Sequence, residues 1–245
     1  MSFIVVIPAR FASTRLPGKP LLDIGGKPLI QHVVERANES DAARVILATD
    51  DERIAEAASN FDCETCMTRA DHLSGSDRLE EVVQTLAITD PTSVVNVQGD
   101  EPFVPARLIN NVAAALTRAP DAAMATAAHR LREIDDFHDR NVVKVVFDQH
   151  GRALYFSRSP IPFGAIDQAW RHIGIYAYRA EFLKRYGQLN PSALEHAESL
   201  EQLRVMDNGE TIMVQAVDYD SGIGVDTEQD LEQARKIAQD LGITS

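Results

Sequence analysis

At 245 residues, with 44% hydrophobic and 25% charged residues, the chain is long enough to bury a sizeable core and has an ordinary globular composition. Its formal net charge of -13 argues against a general nucleic-acid binder or a membrane-surface protein, since both normally present a basic face. No apolar run reaches the length of a membrane span, and the start lacks a charged leader and a cleavage site, so a cytoplasmic protein without a membrane span is expected.

Phe3 to Ile7 reads as the first strand, and it runs into Arg10-Phe-Ala-Ser-Thr-Arg-Leu-Pro-Gly-Lys19-Pro20. This stretch carries three cations and two hydroxyls ahead of the first acidic residue of the chain, Asp23. Guanidinium forks and backbone N–H groups bind phosphate oxygens geometrically, so in an acidic chain the stretch suits a polyphosphate; a solvated basic loop is the alternative. Pro28 opens a helix through Asn38, with Ile30, Val33, Val34 and Ala37 at helical spacing. Arg44 to Thr49 is the second strand, and Asp50 caps the helix after it, the Asp50–Asp51 pair reading as a cap rather than as ligands. The two cysteines, Cys63 and Cys66, have C-x-x-C spacing but no second pair to complete a zinc site, and read as small, partly buried thiols. A strand near Glu64 to Met67 leads into the polar loop Thr68 to Arg78 and a helix from about Leu79 to Leu86. The serines, N–H groups and arginines of that loop suit a nucleobase or phosphate edge, although Ser74-Gly-Ser-Asp77 is also an ordinary helix N-terminus.

Ser93 to Val97 reads as a buried strand entering Gln98-Gly99-Asp100-Glu101-Pro102. Open α/β sheets bind ligands at the carboxyl ends of their strands, so Asp100 is placed to hold a metal. Gly99 permits a close approach and Pro102 stops the strand. A helix from Pro105 to Thr117 and a strand near Ala123 to Ala127 follow. Val142 to Phe147 and Ala153 to Ser157 then form a hairpin, which changes the architecture after a first half of alternating strands and helices. Arg171 to Tyr178 is a strand that sets His172, Gly174, Tyr176 and Tyr178 on one face, a polar-aromatic surface suited to a sugar. Pro191 to Asn208 reads as one helix, with Glu198, Glu201 and Gln202 on or near one side. The strand Thr211 to Val217 leads to Asp218-Tyr-Asp220 and then to Gly222-Ile-Gly224-Val-Asp226. Thr227 with Asp230 caps the last helix. The whole predicts one α/β domain over 1–245 with a mainly parallel sheet and a lobe inserted at about 130–190.

Pro8-Ala-Arg10, Ser13-Thr-Arg15-Leu-Pro-Gly-Lys19-Pro20, Ser74-Gly-Ser-Asp-Arg78, Val97-Gln-Gly-Asp100-Glu-Pro102, Tyr155-Phe-Ser-Arg158, His172-Ile-Gly-Ile-Tyr176, Leu200-Glu-Gln-Leu-Arg204 and Gly224-Val-Asp-Thr227 occur in this order along nearly the whole chain. By these motifs the chain resembles the 3-deoxy-manno-octulosonate cytidylyltransferase (CMP-KDO synthetase) family. The resemblance implies a Rossmann-like nucleotide-diphospho-sugar transferase fold and a homodimer whose inserted lobe serves sugar binding and dimerisation. It also implies a Mg²⁺-dependent reaction of CTP with an eight-carbon sugar acid (KDO), for lipopolysaccharide biosynthesis. Carried over by position, Arg10, Ser13, Arg15 and Lys19 would hold the triphosphate, with Lys19, Arg10 and Asp100 catalytic. Ser74, Gly75, Ser76 and Arg78 would help to form the nucleotide pocket, and Asp100 and Asp226 would be the magnesium carboxylates. Gln98, Arg158, His172, Tyr176, Glu201 and Gln202 would line the sugar side. Ser76 stands where the family commonly has threonine, and the loop from Phe163 to Trp170 is shorter than in many members. That loop leaves open an 8-amino sugar acid as substrate, and a sialic-acid-type cytidylyltransferase is the sibling alternative. A metal-dependent glycosyltransferase, suggested by Asp218-Tyr-Asp220, leaves the basic loop unexplained, and a nucleotide-binding module without activity leaves Lys19, Asp100 and Asp226 without a purpose. No G-x-G-x-x-G follows the first strand, which argues against a dehydrogenase.

Overall fold

A computed structural model describes residues 2–12, 15–72, 74–90, 92–219 and 221–243. The strands are β1 (Phe3–Ala9), the two-residue β2 (Asp23–Ile24) and β3 (Lys27–Pro28), β4 (Val45–Thr49), β5 (Glu64–Met67), β6 (Ser93–Asn96), β7 (Met124–Arg130), β8 (Lys144–Phe147), β9 (Ala153–Ser157), β10 (Trp170–Arg179) and β11 (Ile212–Val217). Seven of them form one open path in the order β11-β7-β10-β6-β1-β4-β5. β1 pairs in parallel with β4 and β6, β4 with β5, and β7 with β11. β10 alone on this path runs the other way, antiparallel to both β6 and β7. Six carboxyl ends therefore open on one edge, where the loops that follow can converge on a ligand.

The helices are α1 (Leu29–Asn38), α2 (Glu52–Ser59), α3 (Gly75–Thr85), α4 (Ala106–Arg118), α5 (Ile134–His138), α6 (Ala180–Leu183), α7 (Ala193–Glu198), α8 (Gln202–Asp207) and α9 (Glu228–Asp240). Strand alternation divides the core in two. Val5, Ile7 and Val95 face the apolar stripes of α1, α2, α4 and α9, whereas Ile4, Val6 and Val94 face α3, α6 and α8. Among the described residues, no helix is long and apolar enough to cross a membrane. Cys63 is half-buried and Cys66 buried, neither is disulfide-bonded, and burial raises both thiols, Cys63 to about 11.

Several elements differ from the expectation. α3 begins at Gly75, not near Leu79, because Ser74 and Asp77 form a reciprocal capping box that starts the helix early. Asp51, not Asp50, caps α2, accepting from the Arg53 N–H at 3.0 Å. The stretch read as one helix from Pro191 is two, α7 and α8, broken at Ser199, which adopts the left-handed conformation with φ 53°. The break is held from outside. Arg158 donates to the carbonyls of Glu198 (2.7 Å) and Ser199 (3.3 Å), replacing the helical turn that a continuous helix would make there.

The hairpin β8–β9 joins the sheet through the start of β10, pairing Trp170 with Val145 and Arg171 with Lys144. Lys144 is fully buried at this junction, its ammonium donating to the carbonyls of Asp139 (2.9 Å), Val142 (2.6 Å) and Arg158 (2.6 Å). β10 itself is irregular between Ile173 and Tyr176. The Thr126 hydroxyl lies 3.1 Å from the Ile173 carbonyl and 2.8 Å from that of Ile175, inside the irregularity.

Candidate active site

The exits of β1 and β6 lie side by side, with Val6 opposite Asn96 in the ladder. A Cβ on Gly99 would stand 2.6 Å from the Pro8 carbonyl oxygen, so only glycine lets the two chains meet there. Asp100 follows at once. Asp226 arrives from the segment after β11, and the Val225 N–H donates to the Asp100 carbonyl at 2.9 Å, joining the two loops. The Asp226 and Thr227 N–H groups both donate to Asp230 Oδ2, at 3.1 and 2.8 Å, so the start of α9 fixes the Asp226 backbone.

Lys19 bridges the two acids. Its ammonium is 2.6 Å from Asp100 Oδ2 and 3.0 Å from Asp226 Oδ1, and Arg15 reaches the same Asp226 oxygen at 3.2 Å. The lysine is placed by a tight turn at Gly18, φ 70°, against the Phe11 ring. Burial acts against its charge, but the attraction and hydrogen bonds of the two carboxylates outweigh it and raise its pKa. Arg10 is half-buried where β1 ends. Ser13 lies outside the described residues.

Asp100 and Asp226 each present an oxygen within hydrogen-bond reach of one nitrogen, so they converge on a point that already accommodates a cation. Mg²⁺ takes one or two carboxylates together with phosphate and water oxygens, and this donor set fits it. Among the described residues no group of three or more His, Cys, Asp or Glu side chains forms a metal cluster.

Next to this cluster a cleft of about 310 Å³ brings together Gly75, Ser76, Gln98, Tyr176, Glu201 and Gln202. Ser76 Oγ lies 3.4 Å from the Tyr178 hydroxyl and 3.3 Å from Glu201 Oε2. Gln98 donates to the Gly174 carbonyl at 3.4 Å. Burial pushes the Glu201 carboxyl upward, and the Tyr176 and Tyr178 phenols well upward. The cleft is therefore rich in hydrogen-bonding groups.

A family model described as cytidylyltransferase matches residues 4–212. The chain belongs to the cytidylyltransferase family. It is 52% identical over 252 residues to the 3-deoxy-manno-octulosonate cytidylyltransferase of Idiomarina loihiensis, covering 98% of this chain and 100% of that relative. Among solved structures, CMP:2-keto-3-deoxy-manno-octonic acid synthetase complexed with CTP superposes with a TM-score of 0.92 at 43% identity, over 98% of this chain and 100% of that one. A cytidylyltransferase from Leptospira borgpetersenii, 17% identical, shares the fold with a TM-score of 0.66 over 98% of this chain and 87% of its own.

Within this cytidylyltransferase, the structure gathers the expected site residues into two groups. Lys19, Arg15, Asp100 and Asp226 form one cluster, and Gln98, Tyr176, Glu201 and Gln202 share the cleft with Gly75 and Ser76. His172 is half-buried on the same strand, with its ring 5.5 Å from that of the cleft residue Tyr176 and edge-on to Phe156 at 5.0 Å. Its Nε2 is 2.9 Å from Thr126 Oγ1, and burial depresses its pKa to about 3, so the imidazole is neutral. Three of the expected site residues are engaged within the fold. Arg78 is fully buried, bound to Asp50 at 3.1 Å and to the Thr68 hydroxyl, so it anchors the loop. The Ser74 hydroxyl caps α3, accepting from the Asp77 N–H at 3.2 Å. Arg158 directs its guanidinium to the carbonyls of Arg140, Glu198 and Ser199, where it holds the α7–α8 break. Thr126 was missed, although a single hydroxyl in Met124-Ala-Thr-Ala-Ala128 is a signal in a buried strand. A larger cavity of about 730 Å³, at Arg130, Trp170 and Tyr219, contains none of the sequence-predicted site residues.

Proposed function

We propose that the chain transfers the cytidylyl group of CTP to 3-deoxy-manno-octulosonate, giving CMP-KDO and pyrophosphate. The observation that carries this reading is the Lys19 bridge between Asp100 and Asp226, set at the sheet's carboxyl edge beside a hydrogen-bonding cleft. Polyphosphate chemistry suits the first and a polyhydroxylated sugar the second. The solved relative in complex with CTP and the named relative from Idiomarina loihiensis support the same pair of substrates.

The anomeric oxygen of the sugar acid attacks the α-phosphorus; a P–O bond forms, the bond to the β-phosphate oxygen breaks, and the hydroxyl proton is lost. Both reactants are anions, so the basic loop has two tasks. Arg10, Arg15 and Lys19 draw the triphosphate in, and Lys19 exchanges its carboxylate partners for phosphate oxygens as charge develops on the leaving pyrophosphate. Asp100 and Asp226 are the residues that would hold Mg²⁺, which would supply charge to polarise the α-phosphate and to lower the pKa of the attacking hydroxyl. Gln98, Tyr176, Glu201 and Gln202 orient the sugar. The neutral His172, fixed by Thr126, supports the Tyr176 ring. The same reading makes the protein a cytoplasmic homodimer that feeds lipopolysaccharide biosynthesis, supported by its resemblance to the family.

Incubation with CTP, Mg²⁺ and 3-deoxy-manno-octulosonate tests it: CMP-KDO and pyrophosphate are expected in equal amounts, and no pyrophosphate release would sink the proposal. Parallel incubations with the 8-amino sugar acid and with a sialic acid, motivated by the short loop from Phe163 to Trp170, are expected to turn over more slowly. Faster turnover of either replaces the substrate named here.

A further inference from the structure

Two side-chain amides in the cleft have atoms that the fold itself does not use. Asn96, the last residue of β6, is 2% exposed, and Gln202, the first of α8, is 5% exposed. Both line the cleft of about 310 Å³. Asn96 Oδ1 and Gln202 Nε2 are buried without a hydrogen-bond partner, whereas Ser76, Tyr178, Glu201 and Gln98 in the same cleft are paired with one another or with the main chain.

An unpaired buried amide atom is costly, and such groups in native proteins call for an explanation. Packing does not supply one for Asn96. Its strand neighbours Val94, Val95 and Val97 are wholly buried, and an apolar residue at 96 would complete that run without an orphaned oxygen. Asn96 shares a face with Val94, the face covered by α3 and α8, and lies opposite Tyr176 in the β6–β10 ladder. It thus forms part of the floor of the cleft, and Gln202 part of the wall supplied by α8.

We infer that Asn96 is a substrate-contacting residue that, together with Gln202, holds a hydroxyl group of the sugar acid. The unpaired set is one acceptor and one donor. A hydroxyl satisfies both at once, donating to the amide oxygen and accepting from the amide nitrogen. A carboxylate or phosphate oxygen offers acceptors alone and leaves Asn96 unmatched; an ammonium offers donors alone and leaves Gln202 unmatched. The inference rests on the cytidylyl-transfer reading above and adds a residue to it.

Steady-state kinetics of Asn96→Leu and Asn96→Ala, with CTP, Mg²⁺ and 3-deoxy-manno-octulosonate as the probes, test it. The KM for the sugar acid is expected to rise at least about tenfold, the cost of a lost substrate hydrogen bond, while the KM for CTP stays within about twofold. The leucine variant, relieved of its orphaned oxygen, is expected to melt no lower than the wild type. The alanine variant is read in the same way should leucine overfill the site. An unchanged sugar KM in both variants overturns the inference. So does an equal rise in the KM for CTP, which would make Asn96 a nucleotide contact, or a loss of affinity for both substrates that tracks a lower melting temperature, which would make it structural. Absence of product from the wild type overturns the activity reading instead.

Discussion

The two halves of the proposed site are built by different means. Around Lys19 the groups are ion-paired with one another and partly open to solvent, so they can change partners when a polyanion arrives. Around Ser76 and Tyr178 the groups are hydroxyls, amides and a carboxyl with a raised pKa, connected by hydrogen bonds. Charge works over distance and tolerates misplacement, whereas a neutral hydrogen bond is lost within a fraction of an ångström. One chain can thus capture a common nucleotide broadly and a particular sugar narrowly.

Removing a charge from the first half is the hardest way to break this division. Asp100→Asn is expected to lower kcat by on the order of 10³-fold or more at saturating Mg²⁺ while leaving the fold intact, since Val225 bonds to the main chain of residue 100; circular dichroism and turnover check it. Lys19→Ala is expected to cost roughly 10²- to 10³-fold in kcat with little change in the KM for the sugar acid; near-normal turnover would contradict its role. The second half responds to structure instead. Arg158→Met removes a charged donor from three carbonyls, so about 2–3 kcal/mol of stability and several-fold in sugar affinity are expected to go, with CTP affinity retained. Raising salt from about 0.1 M to about 1 M shortens the screening length from roughly 10 to roughly 3 Å, and should raise the KM for CTP more than that for the sugar acid. The smallest effect concerns His172. Its pKa is depressed from 6.5 to about 3, so the unfolded chain takes up a proton first as acid is added. The stability it contributes is complete above about pH 6.5 and lost progressively towards pH 3, and His172→Asn should lose less melting temperature than the wild type between about pH 7 and about pH 5.

The same division governs what could be read from the chain. The alternation of strands and helices and the hairpin followed from local patterns, as did the carboxyl-edge positions of Asp100 and Asp226, and strand parity correctly put His172, Tyr176 and Tyr178 in one row. Ser199 was illegible because no glycine or proline marks the break; Arg158, distant in sequence, holds it open. The Arg78–Asp50 ion pair was illegible because a guanidinium beside a polar loop resembles a ligand contact, and Asp50, distant in sequence, had itself been assigned as a helix cap. Local rules registered the charges and not their tertiary partners.

Gly99 sets a further limit. With the Pro8 oxygen 2.6 Å from where its Cβ would be, the separation between the basic loop and Asp100 is a main-chain dimension, a fixed ruler between two strand exits. No graded series of side chains can lengthen or shorten it. The other end has no such ruler: the α7–α8 junction is set by the side chain of Arg158, so substitution can alter that wall of the cleft while the separation between the basic loop and Asp100 stays constant.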